Sequence, residues 1–141
     1  LSKIILNMTS KVNYLGDLRT SAIHMASDKN IITDAPIDNQ GKGEAFSPTD
    51  TVATALASCL LTIMGIKARD LNIDIKNTTA EVSKVMASNP RRISEIQITV
   101  NFTRSYDQRI KKILEKAALA CPVSNSLHPD LKQNILFNWP S

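Results

Sequence analysis

The chain has 141 residues, 43% of them hydrophobic, which suits one domain spanning residues 1–141 with its own core and no cross-links. Seventeen Lys and Arg against 13 Asp and Glu give a net charge of only +4, and the basic clusters are no longer than the pairs Arg91-Arg92 and Lys111-Lys112. With three Phe, two Tyr and one Trp there is no interleaving of rings and basic residues, so no nucleic-acid partner is expected, and two cysteines are too few for a disulfide scaffold.

Near the start, Lys3 and Asn7 interrupt a short apolar segment that is unlike the hydrophobic stretch of a signal peptide, so a soluble cytoplasmic protein is expected. Ile4, Leu6, Met8, Val12 and Tyr14 alternate with polar residues at the period of a half-buried strand. Gly16-Asp17 supplies a turn, and Leu18 to Met25 and Asn30 to Thr33 extend the pattern into an antiparallel meander. Asp34 to Phe46, with Pro36, Gly41 and Gly43, is the one long loop.

Ser47-Pro48-Thr49-Asp50 marks a helix start: a Ser cap, proline at the first position, and an acidic residue near the positive end of the dipole. The helix is predicted to run to about Lys67, apolar around most of its circumference and so packed on more than one side, with Cys59 buried in its middle. Thr54, Ser58 and Thr62 leave it short of a membrane span, and no membrane partner is expected. Asn72 to Ala87 and Ile93 to Thr103 read as a long hairpin turning near Asn89-Pro90-Arg91. Tyr106 to Ala120 reads as an amphipathic helix, and Asn134 to Phe137 as a last strand. Together these elements describe an antiparallel α+β fold rather than alternating βαβ units.

In "ACPVSNSLHP", the residue before Pro122 is forced out of the helical region while Pro122 suits the first turn of a new helix. Cys121 is then an N-cap, a position where unpaired backbone N–H groups favour a thiolate, although a capping sulfur can equally be structural. Cys59 can be a small core hydrophobe or a reactive thiol. His24 and His128 would complete a four-ligand set with the cysteines, but without the close pair spacing of a zinc module, so no metal is expected. A cysteine hydrolase would need one of these histidines beside a thiol. His128, before Pro129, reads as a surface turn residue, and Arg91 and Arg92 as a solvated hairpin turn. Phe46, Met64 and Phe102 are explained by core packing at least as well as by a pocket.

"SPTDTVATALASCLLTIM" around Cys59, followed after a hairpin and a helix by "ACPVSNSL" around Cys121, resembles the OsmC-like family, which includes the organic hydroperoxide resistance proteins. The likeness covers nearly the whole chain. It implies an intertwined homodimer in which antiparallel sheets wrap around long central helices, with the cysteine sites at the dimer interface. It further implies a thiol-dependent peroxidase acting on organic hydroperoxides: Cys59 would be peroxidatic, Cys121 resolving, and an external thiol or dithiol the reductant. Neither metal nor flavin is required.

The family activates its thiolate with an arginine held by a glutamate. Arg19 is the one arginine before the cysteine helix and so the candidate for that guanidinium. The glutamate follows the helix proline in the hydroperoxide resistance members, and that position here is Thr49, with Asp50 next. Asp50 is sufficiently explained as a helix-start residue. Glu44 in the preceding loop is the other carboxylate that could orient Arg19. If neither does, a redox-sensing or apolar-ligand-binding dimer becomes the alternative. A thiol–disulfide exchange protein is the third option, and it would need an exposed cysteine.

Overall fold

The computed structural model describes residues 8–141, and the chain divides into two compact units, residues 1–51 and 52–141. Ile4 and Leu6, assigned above to the first strand, lie outside the described residues.

The first unit holds β1 (Ser10–Gly16), β2 (Arg19–His24) and β3 (Asn30–Asp34), an antiparallel meander in the order β1-β2-β3. The β2–β3 register sets Arg19 directly opposite Asp34, so the two side chains share one face of the sheet. This sheet has almost no apolar core among the described residues. Val12 is 60% exposed, Tyr14 67% and Ile31 61%, and Leu15, Leu18, Ile23 and Ile32 are also exposed.

After β3 the chain folds back through a 3₁₀ turn at Ile37–Asn39. The loop closes on itself: the Asp34 N–H donates to the Phe46 carbonyl at 3.0 Å, and the Gly43 N–H to the Ala35 carbonyl at 3.2 Å. Two glycines permit this closure. A side chain at Gly41 would start 1.8 Å from the Ala35 carbonyl oxygen, and Gly43 has φ +62°, in the left-handed region.

Helix α1 (Pro48–Asp70) starts with a reciprocal cap. The Ser47 hydroxyl accepts from the Asp50 N–H at 3.0 Å, and the Asp50 carboxylate accepts from the Ser47 N–H at 2.9 Å. The helix runs three residues past the predicted end. It has 23 residues and an 18-residue window of mean hydropathy 1.6, so by length and composition alone it is long and apolar enough to cross a membrane, which corrects the expectation drawn from its Thr and Ser residues. Its packing is that of a core helix on one face only: Ala53, Leu56, Ala57, Leu60, Met64 and Ala68 are buried, while Val52, Ala55 and Ile66 on other faces are exposed.

The second unit adds β4 (Thr79–Ala87), β5 (Arg92–Asn101), α2 (Gln108–Leu119), α3 (Pro122–Ser126) and β6 (Lys132–Asn138). The first hairpin arm begins later than predicted. Residues 72–78 form turns instead, with Asn72 and Asn77 left-handed and the Asp74 carboxylate accepting from the Lys76 N–H at 2.8 Å. β4 and β5 are antiparallel, but β6 lies parallel to β5, from Glu95↔Lys132 to Asn101↔Asn138. The sheet is therefore mixed rather than wholly antiparallel, because residues 102–131, carrying α2 and α3, are long enough for a crossover. Central β5 sends Ile96, Ile98 and Val100 into one core with Leu56, Leu60, Met64, Leu114, Ala118 and Cys121. At its edge, the rings of Phe102 and Trp139 stack with centroids 3.5 Å apart.

Candidate functional site

Both cysteines belong to the second unit, and both are reduced. Cys121 caps α3 as its sequence required, with φ −72° and ψ 150°, and its sulfur accepts from the Ser124 N–H at 3.3 Å. Cys59 lies near enough to raise the Cys121 thiol as well. Two cysteines 62 positions apart in the chain (59 and 121) are thus brought near one another.

The accessibility of the two thiols corrects the sequence reading. Cys59, expected to be buried, is only partly so, because α1 buries one face and Cys59 stands at its margin. Cys121 is fully buried. Burial, more than any other cause, pushes the Cys121 thiol up from its ordinary range, and a negative Cys59 would push it further; the Ser124 and Val123 N–H groups oppose both without prevailing. The cap therefore does not make a thiolate of Cys121, contrary to the expectation from its position. It leaves a protonated thiol beside a more accessible sulfur.

Arg19 sits in the first unit within a cluster of carboxylates. Its Nε donates to Asp34 Oδ1 at 2.6 Å and its Nη2 to Asp34 Oδ2 at 2.8 Å, a bidentate pair, and Nη2 also donates to Glu44 Oε1 at 3.1 Å. Glu44 contributes twice, since its backbone N–H donates to Asp34 Oδ2 at 3.0 Å. The Arg19 hydrogen bonds hold the buried Asp34 carboxyl below its usual range, and Asp34 in turn raises the Arg19 guanidinium further above its own.

Glu44 is thus in contact with the candidate arginine. Asp34, the stronger partner, escaped the sequence analysis because it was placed at the start of the long loop, whereas it ends β3; the signal available was the meander register, which pairs it with Arg19. Asp50 is engaged in the helix cap, and the Thr49 and Ser47 hydroxyls lie 3.1 Å apart, so both residues serve the start of α1.

The histidines do other work. His24 Nδ1 meets the Ser27 hydroxyl at 2.6 Å, and His128 Nδ1 accepts from the Asp130 N–H at 3.0 Å in an exposed turn. Among the described residues no group of three or more His, Cys, Asp or Glu could hold a metal ion. Arg92 closes its hairpin turn by donating from Nη1 to the Ser88 and Pro90 carbonyls, each at 2.9 Å. Met64 and Phe102 belong to the core and Phe46 is exposed. A cleft of about 490 Å³ at the end of α1, lined by Leu61, Ile73 and Ile75 among others, contains neither cysteine.

The fold is α+β, with one cysteine on a long core helix and a second capping a short helix. The chain belongs to the OsmC-like protein family, whose family model matches residues 41–135. It is 62% identical to a protein from Psychrobacter arcticus 273-4 named for osmotic stress induction and a detoxification response; the match covers 92% of this chain and 95% of that one, with a TM-score of 0.90. The fold is also that of an organic hydroperoxide resistance protein from Legionella pneumophila, at 15% identity, TM-score 0.73 and coverage of 94% and 98%. An OsmC-like protein from Mycoplasma pneumoniae shares it at 20% identity, TM-score 0.73 and coverage of 93% and 94%. Comparison with curated proteins gives no match.

Proposed function

We propose that the protein is a thiol-dependent peroxidase that reduces organic hydroperoxides through Cys59 and Cys121. The observation that carries this is the nearness of two reduced cysteines in one unit, Cys59 partly exposed and Cys121 buried and protonated. A Cys59 thiolate attacks the peroxide oxygen, the O–O bond breaks, and the alkoxide takes a proton and leaves as alcohol, giving a sulfenic acid. Cys121 then attacks that sulfur, an S–S bond forms and water departs. An external thiol or dithiol returns two electrons and frees both thiols. Arg19 is assigned to stabilising the thiolate by likeness to the family.

Intact mass after one equivalent of cumene hydroperoxide tests this. The wild type should lose two hydrogen atoms as a disulfide, Cys121→Ser should retain one added oxygen, and Cys59→Ser should not react. With a dithiol the wild type should consume excess peroxide. A single oxidation without turnover would instead select the redox-sensing alternative.

The functional form is proposed to be a homodimer. A three-stranded sheet with this many exposed apolar side chains among the described residues buries little area of its own, and the second copy is the occupant for its exposed Val12, Tyr14 and Ile31 and for the exposed Val52 and Ile66 of α1. Sedimentation should give twice the 15.5 kDa chain mass, and Val12→Asp should shift it toward monomer.

A further inference from the structure

Along β6 and its flanks Leu131, Ile135, Phe137 and Trp139 pack against the core, and by the two-residue period of a strand Gln133 falls in the same row. Its register partner on β5 is Ile96, which is fully buried. An apolar side chain would serve packing at that position, since a half-buried amide needs hydrogen bonds to offset its desolvation. Both ends of the Gln133 amide go to one residue. Oε1 accepts from the Ser124 hydroxyl at 2.6 Å, and Nε2 donates to the Ser124 carbonyl at 3.2 Å. The carbonyl can only accept, which fixes the end of the amide that faces it. Ser124 is thus held at two of its polar groups, and the third, its N–H, donates to the Cys121 sulfur at 3.3 Å. Strand β6, Gln133, Ser124 and the sulfur are linked in series within the second unit.

We propose that Gln133 is a positioning residue for the second thiol: it clamps the first turn of α3 to β6, so that the Ser124 N–H stays aimed at the Cys121 sulfur when that sulfur closes on Cys59. This rests on the peroxidase reading, in which Cys121 attacks the Cys59 sulfenic acid: the S–S bond forms, the S–O bond breaks, and hydroxide leaves with the Cys121 proton as water. A disulfide needs Cα atoms within roughly 7 Å and a narrow range of dihedral angles, so a turn that drifts closes slowly. Among the described residues Gln133 makes its side-chain hydrogen bonds with Ser124 alone, so the clamp acts on closure and not on the attack of Cys59 on peroxide.

Gln133→Leu suits the apolar row but can make neither bond. In a single turnover with one equivalent of cumene hydroperoxide, followed by quenched intact mass, its Cys59 should gain one oxygen at the parental rate. The disulfide should then form about tenfold to a hundredfold more slowly, the range a misplaced reacting group produces. The Ser124 amide should also exchange its hydrogen faster. Ser124→Ala keeps the N–H and carbonyl but loses one of the two bonds, so it should slow closure by less; if Gln133→Leu does not fold, Ser124→Ala decides by the same split between the two steps. Diamide drives closure without peroxide, and at saturation its rate reads the attack of one thiol on the adduct of the other, which Gln133→Leu should slow equally. Parental closure in Gln133→Leu, or equal slowing of both oxidation steps, overturns the assignment and leaves the peroxidase standing. Slowed diamide closure in a chain that hydroperoxide does not oxidise upholds Gln133 and overturns the peroxidase.

Discussion

The two three-stranded sheets of this protein differ in what they bury. In β4–β5–β6 the central strand places Ile96, Ile98 and Val100 at no more than 1% exposure against α1 and α2. In β1–β2–β3 the corresponding apolar side chains face outward, and the buried side chain of note is a carboxylate, Asp34. One sheet is held by hydrophobic burial, the other by its ladder, a closed loop and the Arg19–Asp34 pair. The contrast places the thiols on the rigid core and the candidate activating charge on a scaffold stabilised by polar contacts.

The comparison breaks first, and most strongly, at the core. Leu60→Ala should cost about 2–5 kcal/mol, because a fully buried leucine leaves a cavity that its neighbours refill only in part. Urea unfolding followed by Trp139 fluorescence measures it, since that ring stacks on Phe102 in the same unit. A cost below about 1 kcal/mol would mean that the helix is not held as described. Gly41→Ala should cost about 1–3 kcal/mol, because the new methyl overlaps the Ala35 carbonyl. Faster hydrogen exchange at the Gly43 and Glu44 amides, with the Trp139 transition less affected, would show the two regions to be separable.

The pH effects are smaller and opposite in sign. The folded-state pKa of Asp34 is lowered, so its stabilisation is complete above the ordinary carboxylate value of about 4 and is lost as pH falls through the folded value. Asp34→Asn should therefore flatten the acid limb of stability against pH below about pH 4. The folded-state pKa of Cys121 is raised, so its contribution is complete below the ordinary thiol value of roughly 8.5 and is lost as pH rises through the folded one. Cys121→Ser should flatten the alkaline limb alone. Chemical denaturation across the pH range reads both, and exchanged limbs would contradict the assigned ionisation states.

The sequence alone determined the elements that local chemistry specifies. Ser47-Pro48 starts α1, Cys121-Pro122 starts α3, and the alternation of β5 puts its isoleucines inward, all because caps, proline and side-chain period act within a few residues. Only the tertiary structure decided which partners those elements meet. The parallel pairing of β6, the partial exposure of Cys59 beside the full burial of Cys121, and the choice of Asp34 as chief partner of Arg19 all depend on register and burial between distant segments. A cap position predicts N–H groups around a sulfur, but desolvation, which outweighs them at Cys121, is set by whatever the rest of the fold packs against it.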